Sequence, residues 1–122
     1  MSEATGTPQV GIVGLGMIGG SLAAALRRAG AATVVAWDRD AGALEAGRRL
    51  GVIDHAAGSL DDLLAASDVA VLAAPTLACE ELLLQMLRRP GRARCVTDVA
   101  SVKGSLCVAA ASLGAESAAR YV

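Results

Sequence analysis

Aromatic residues are nearly absent from this chain of 122 residues, which has no phenylalanine, one tryptophan and one tyrosine. The interior therefore has to be built from aliphatic side chains, and 54% of the residues are hydrophobic. A chain of this length suits one domain that buries roughly two thirds of its unfolded surface. We expect a single domain, residues 1–122, with a core of valine, leucine, isoleucine and alanine.

An excess of one charge is also missing. The formal net charge is −1 and no segment carries five like charges, which argues against a nucleic-acid partner. The longest apolar stretch, residues 69–79, contains Pro75 and is too short to span a bilayer. Residues 1–9 are polar, unlike a signal peptide. These absences predict a cytoplasmic protein that binds neither nucleic acid nor membrane.

Cysteine is scarce as well, with Cys79, Cys95 and Cys107 as the three examples. Their odd number and the lack of a C-x-x-C spacing argue against a disulfide framework and against a zinc site. We therefore predict buried free thiols and no metal.

Short apolar runs alternate with longer stretches of helical periodicity, a pattern typical of βαβ units. It predicts an α/β domain of the Rossmann type, with a doubly wound, mainly parallel sheet between two layers of helices. The predicted strands cover residues 10–13, 33–37, 52–54, 69–73 and 94–98, and a further strand begins within 119–122. The predicted helices cover residues 18–29, 41–50, 60–64, 77–89 and 102–113.

A glycine pattern, G-x-G-x-x-G, follows the first predicted strand and opens the first predicted helix. In such a turn the first glycine allows a tight bend, the second lets a pyrophosphate approach, and the third lets helix and strand pack closely. The anion then meets N–H groups at the positive end of the helix dipole. The residues predicted to bind a dinucleotide here are Gly14, Leu15, Gly16, Met17, Ile18 and Gly19.

An acidic residue, Asp38, ends the second predicted strand 19 residues after Gly19. A carboxylate at this point accepts hydrogen bonds from the adenosine ribose and repels a 2′-phosphate, which favours NAD over NADP. Arg39 lies next to it and could accommodate that phosphate, so NADP remains the alternative. A role for Asp38 in capping a turn also remains open.

The crevice of a doubly wound sheet lies where the strand order reverses, between the first and fourth strands here. We expect Ala74, Pro75 and Thr76 to line it beside the glycine turn. The fifth strand leads into a polar segment with Ser101, which is either functional or the N-cap of the following helix. His55, the single histidine, is predicted at the outer sheet edge, away from this crevice.

With these segments assembled, the chain resembles the prephenate/arogenate dehydrogenases of tyrosine biosynthesis. The two most specific parts are Gly19-Gly20-Ser21 and the pattern D-x-x-S-V-K at residues 98–103. The matching segments are GLGMIGGSL at 14–22, WDR at 37–39, DVAVLAAP at 68–75 and TDVASVK at 97–103.

The resemblance implies oxidative decarboxylation of prephenate or arogenate, with hydride transfer to the nicotinamide. It implies that Ser101 lies close to the reacting hydroxyl and is catalytic. In this family a Gly-x-His-Pro-Met segment and a helical domain follow, which complete the substrate pocket and form a homodimer. The present sequence reaches Val122 where that segment should start, so we expect residues 1–122 to bind cofactor without turnover.

Two other interpretations stay open at this point. A β-hydroxyacid or imine-type dehydrogenase would explain the glycine turn and Asp38 but not the S-V-K pattern. A stand-alone NAD-binding module without chemistry would also explain the glycine turn.

The assignment of Asp38 generates the first prediction. Replacing Asp38 with serine should weaken NAD binding more than NADP binding, because the lost carboxylate both binds the ribose hydroxyls and repels a 2′-phosphate. Titration of each cofactor against both proteins measures the ratio. An equal loss for the two cofactors would show that Asp38 does not recognise the ribose.

Overall fold

The structure is a computed structural model that describes residues 7–74, 76–89, 91, 93–99 and 104–122. The strands are β1 (Gln9–Val13), β2 (Thr33–Trp37), β3 (His55–Ala56), β4 (Val69–Leu72) and β5 (Cys95–Asp98). The helices are α1 (Met17–Arg28), α2 (Ala41–Leu50), α3 (Leu60–Ala66), α4 (Thr76–Arg88), α5 (Gly104–Ala111) and α6 (Ala115–Ala119).

All five strands lie in one sheet in the order β3-β2-β1-β4-β5, and every neighbouring pair is parallel. The chain winds outward from β1 through β2 to β3, and then returns to the other side of β1 to form β4 and β5. The order therefore reverses between β1 and β4. This confirms the predicted doubly wound, Rossmann-type α/β fold and its switch point.

Two aliphatic clusters cover the two faces of the sheet. Neighbouring residues of a strand point to opposite faces, so Ile12 and Val13 of β1 enter different clusters. Ile12 packs with Ala23 of α1, whereas Val13 belongs to the cluster that contains Leu83 of α4. Strands buried on both faces are the reason why the sequence shows continuous apolar runs rather than alternation.

Local capping interactions fix several helix ends where the sequence predicts them. The carboxylate of Asp40 accepts a hydrogen bond from the Gly42 N–H at 2.8 Å, and Gly51 ends the same helix with φ of 72°. The hydroxyl of Ser59 accepts from the Asp62 N–H at 3.0 Å at the start of α3. These side chains satisfy N–H groups that a helix start leaves without an internal acceptor.

The third strand lies later than predicted. It covers His55–Ala56 rather than residues 52–54, because Asp54 pairs with β2 largely through its side chain. Its carboxylate accepts from the Val34 N–H at 2.8 Å, while its own N–H donates to the Val34 carbonyl at 2.9 Å. The apolar residues Val52 and Ile53 instead pack into the cluster that contains Ile12.

The end of the chain also differs from the prediction. Residues 115–119 form α6, a short helix that the sequence analysis missed. The expected strand is reduced to a single parallel bridge between Tyr121 and Val96 of β5. Gly114, with φ of 99°, separates α5 from α6. This left-handed backbone prevents α5 from continuing into α6, since a continuous helix needs negative φ values.

The burial pattern generates a stability prediction. Leu83 is fully buried between α4 and the sheet, whereas Leu50 is 78% exposed. Leu83→Ala should lower the free energy of unfolding by about 2–5 kcal/mol, because it leaves a cavity in the core. Leu50→Ala deletes the same atoms at the surface and should change it by about 0.5 kcal/mol or less. Urea unfolding measures both, and equal effects would contradict the packing described.

Candidate nucleotide-binding site

A cleft opens at the carboxyl ends of β1, β2 and β4, where ligands of doubly wound sheets bind. Its volume is about 200 Å³. Most of its walls are apolar, and its charged residues follow β2. The lining residues are Val13, Gly14, Trp37, Asp38, Arg39, Asp40, Ala74 and Leu82.

The glycine turn between β1 and α1 is packed too tightly for side chains at two of its positions. Gly14 has φ of +99°, and a Cβ there would lie 2.7 Å from the backbone of Ala74. A Cβ on Gly19 would lie 2.0 Å from the Gly14 carbonyl oxygen. These contacts confirm that the first and third glycines are required by the close approach of turn, helix and β4. They also confirm the predicted proximity of Ala74 to the turn.

The second glycine is different, because nothing in the described structure lies within 4 Å of a Cβ built on Gly16. Gly16 is the N-cap of α1 and has no side chain with which to cap the helix. The first N–H groups of a helix have no internal acceptor and lie at its positive end. Met17 and Ile18 follow with 89% and 58% exposure. The geometry leaves backbone donors facing open space, which suits an anionic group.

Asp38, which lines the cleft, is held by two backbone hydrogen bonds. One carboxylate oxygen accepts from the Leu15 N–H at 2.7 Å, and the other accepts from the Asp40 N–H at 2.8 Å. Asp38 therefore fixes the glycine turn as well as the start of α2. A carboxylate has about four acceptor positions, so these bonds leave acceptor capacity at the same group.

The wall of the cleft beyond Asp38 is formed by Trp37 and Leu82. Trp37 is half-buried and packs against the core cluster that contains Val13 and Leu83. Arg39 is exposed at the rim of the cleft. An apolar slot with a few polar groups at its mouth fits a planar aromatic ring such as a nucleotide base.

A second polar group lies at the end of β5. Asp98 is only 7% exposed, and its carboxylate accepts a hydrogen bond from the Tyr121 hydroxyl. Burial, together with this bond, raises the pKa of Tyr121 above its ordinary value. The pKa of the Cys79 thiol is also raised, first by burial and then by the negative charge of Asp98. Both groups therefore remain protonated donors at neutral pH.

The Cys79 thiol donates to the Ala74 carbonyl, with 3.1 Å between sulfur and oxygen. Sequence reasoning missed both Cys79 and Tyr121, because neither belongs to a motif and Tyr121 lies 23 residues from its partner Asp98.

Other predicted site residues are distributed as follows. Pro75 and Ser101 lie outside the described residues, and α4 begins at Thr76. His55 is exposed on β3, the edge strand of the sheet, as predicted. Within the described ranges, no group of three or more histidine, cysteine or acidic residues could hold a metal ion.

The three cysteines are free thiols, but the prediction that they are buried is wrong for two of them. Cys79 is buried, whereas Cys95 is partly exposed and Cys107 is exposed. The short helix α5 presents Cys107 to solvent instead of to the core.

The fold and the glycine turn define a dinucleotide-binding domain of the Rossmann type. Residues 22–120 match the family described as prephenate dehydrogenase, nucleotide-binding domain. The chain belongs to this family, which confirms the resemblance noted from its motifs. The matched range begins after the glycine turn, so the turn and the family match are separate observations.

Solved structures show the same relationship. The chain is 32% identical to Synechocystis arogenate dehydrogenase, with a TM-score of 0.76 over 88% of this chain and 38% of that one. It is 28% identical to A. aeolicus prephenate dehydrogenase in complex with hydroxyphenyl propionate and NAD+, with a TM-score of 0.79 over 94% of this chain and 40% of that one. The chain thus spans about two fifths of the length of these relatives.

An imine reductase from Myxococcus stipitatus in complex with NADP+ is 20% identical, with a TM-score of 0.71 over 93% of this chain and 39% of that one. At this identity the likeness shows the fold alone. No curated protein sequence matches the chain.

The contrast between adjacent glycines at the start of α1 generates the next prediction. Gly19→Ala should lower the free energy of unfolding by about 1–3 kcal/mol, because its methyl group overlaps the Gly14 carbonyl. Gly20→Ala is the matched control, since a Cβ there meets nothing within 4 Å. The control should be neutral or stabilising by up to about 1 kcal/mol through helix propensity. Urea unfolding measures the free energy of unfolding of both variants. If Gly19→Ala were as stable as the unmodified chain, the tight packing of the turn would be contradicted.

Proposed function

We propose that this chain binds NAD+ as the nucleotide-binding domain of a dehydrogenase that acts on prephenate or arogenate. The observation that carries the proposal is the open space over Gly16, at the N-terminus of α1, beside glycines that admit no side chain. The family match and the relatives with NAD+ and arogenate activity in their names support it.

The residues of the cleft and of the glycine turn beside it suit each part of a dinucleotide. The pyrophosphate would lie against Gly16 and the first N–H groups of α1, where a partial positive charge favours anions. The adenosine ribose would donate to the remaining acceptor positions of Asp38. The adenine would enter the apolar slot that Trp37, Ala74 and Leu82 help to line.

The position of Asp38 supports NAD+ over NADP+. Its carboxylate is oriented by the Leu15 and Asp40 N–H groups, so it cannot turn away from a ribose without losing both bonds. A 2′-phosphate would place a second negative charge against it, which is unfavourable at such short range. Arg39 is exposed and offers a flexible counter-charge, which makes NADP+ the weaker alternative.

In the proposed reaction the bound nicotinamide accepts a hydride from the ring carbon that bears the substrate hydroxyl. The carboxylate leaves as carbon dioxide and the ring becomes aromatic. We propose Ser101 as the residue of this chain closest to the reacting hydroxyl, on the strength of the S-V-K pattern. The resemblance assigns removal of the hydroxyl proton to the histidine of the Gly-x-His-Pro-Met segment, and a general base has to lie within about 3 Å of its proton. Because residues 1–122 contain no such segment, we propose that they alone bind cofactor without turnover.

Two finer expectations belong with this proposal. We propose that the domain works beside a helical substrate domain that also forms a homodimer, since the chain spans about two fifths of its relatives. We also propose a cytoplasmic location. In the part of the chain that the structure describes, no helix combines the length and apolar character needed to cross a membrane.

The open space over Gly16 generates the test of cofactor binding. Gly16→Ala should leave the stability within about 1 kcal/mol, since its methyl group meets no protein atom. It should weaken NAD+ binding by about tenfold or more, because the methyl group occupies the space of the pyrophosphate. Calorimetry and the fluorescence of Trp37, the sole tryptophan, measure the affinity.

Gly20→Ala is the matched control, one helical turn further along, and should bind NAD+ normally. Unchanged binding by Gly16→Ala would contradict the proposed phosphate site. Absence of both heat and fluorescence change with the unmodified chain would contradict NAD+ binding altogether.

The substrate is tested on a whole protein that contains this domain. Its reduction of NAD+ should be supported by prephenate or arogenate and not by short hydroxyacids, while residues 1–122 alone should show no turnover. Activity with short hydroxyacids and none with prephenate or arogenate would favour the alternative dehydrogenase class.

A further inference from the structure

A polar pair joins the end of β5 to the segment after α6. The Tyr121 hydroxyl donates to Asp98, a carboxylate that is 7% exposed. A buried carboxylate is costly unless donors compensate its lost hydration. The hydroxyl of Tyr121 therefore contributes directly to holding the Asp98 side chain, and with it the last residue of β5.

This pair continues to the wall of the cofactor cleft. The charge of Asp98 acts on Cys79, and the Cys79 thiol donates to the Ala74 carbonyl at 3.1 Å. Ala74 in turn lies against Gly14, whose missing Cβ leaves room for the Ala74 backbone. Tyr121 and the glycine turn are thus connected by two hydrogen bonds, by the electrostatic effect of Asp98 on Cys79, and by the packing of Ala74 on Gly14.

The strand register shows which part of the cleft this path serves. Trp37, Val13, Leu72 and Asp98 are successive partners across β2, β1, β4 and β5. With neighbouring strands about 4.8 Å apart, the strands of Trp37 and Asp98 lie about 14 Å from each other. Asp38 follows Trp37 on the adenosine side, so a dinucleotide whose pyrophosphate crosses Gly16 extends its other nucleotide toward β4 and β5.

We propose that Tyr121, acting through Asp98, is a positioning residue for the nicotinamide half of the bound cofactor. The inference rests on the proposed function, because it assumes that a dinucleotide occupies the cleft. Tyr121 holds the Asp98 side chain at the carboxyl end of β5. The adenosine half depends instead on Asp38, which follows Trp37 at the carboxyl end of β2.

The backbone around Tyr121 is held independently of its hydroxyl. The Val96 N–H donates to the Arg120 carbonyl at 2.8 Å, and the Val122 N–H donates to the Val96 carbonyl at 2.9 Å. The Thr97 hydroxyl donates to the Val122 carbonyl at 2.8 Å. Tyr121→Phe therefore removes the bond to Asp98 and leaves the pairing with β5.

The test compares two ligands, NAD+ and ADP-ribose, which differ by the nicotinamide. In the unmodified chain and in Tyr121→Phe, calorimetry gives the Kd for each. ADP-ribose should bind both proteins equally within about twofold, whereas NAD+ should bind the variant at least about threefold more weakly, because a less firmly held Asp98 leaves the nicotinamide side of the site less well ordered before binding. Thr97→Val is the matched control, because it removes the neighbouring hydroxyl and should leave the ratio of the two affinities unchanged.

The outcomes separate this inference from the proposed function. Failure of both ligands to bind the unmodified chain would overturn the proposed function. Binding of both ligands, with an equal loss or no loss in Tyr121→Phe, would overturn the positioning role alone. A change of the ratio in Thr97→Val equal to that in Tyr121→Phe would also overturn it, since any disturbance of the segment would then suffice.

A second measurement needs no variant of Tyr121. Tyr121 is the sole tyrosine, so the alkaline absorbance change of the chain reports its ionisation alone. In the ligand-free chain it should occur at higher pH than for an ordinary tyrosine, because the hydroxyl is partly buried and donates to Asp98. Ionisation at the ordinary pH of about 10 would show that this bond is not formed and would overturn the proposal.

Discussion

The close approach of the glycine turn to the end of β4 is the constraint on which the rest of the site depends. A side chain on Gly14 would enter the backbone of Ala74, and one on Gly19 would enter the Gly14 carbonyl. Because neither position carries a side chain, α1 can begin directly at the switch point of the sheet. The same approach leaves Gly16 facing outward, so one short turn provides both the packing and the open space.

Asp38 links this turn to the start of α2. A carboxylate that only read a ribose could be replaced at the cost of selectivity alone, but here it also holds the Leu15 N–H and the start of α2. The two possibilities left open by the sequence, a ribose acceptor and a turn cap, are therefore compatible in one side chain. Substitution of Asp38 should accordingly carry a structural cost that applies to both cofactors, on top of any change in their ratio.

Much of the fold could be predicted because its determinants are local. Strand β2 and helix α2 have the predicted bounds, since Asp40 and Gly51 define the helix ends by their own hydrogen bonding and backbone conformation. Strand β3 begins later than predicted because the Val34 N–H donates to the Asp54 carboxylate rather than to a backbone carbonyl of that segment. Helix α6 was missed, since an alanine-rich segment of five residues carries almost no periodicity.

The site divides in the same way. The glycine turn could be predicted because its glycines have a fixed spacing. Asp38 could be predicted because it follows the turn at the distance expected for an acidic residue at the end of the second strand. The pair of Asp98 and Tyr121, and the bond from Cys79 to Ala74, depend on contacts between elements that no spacing rule connects. Sequence patterns thus indicate the glycine turn and the end of β2 better than the end of β5.

The scarcity of aromatic residues has a practical consequence once their places are known. The single tryptophan lies at the carboxyl end of β2, and the single tyrosine reaches the carboxyl end of β5, on opposite sides of the switch point. Tryptophan emission and tyrosine ionisation are optically distinct, so each side of the switch point has its own intrinsic reporter. Events at the two sides can be followed separately in solution without any label.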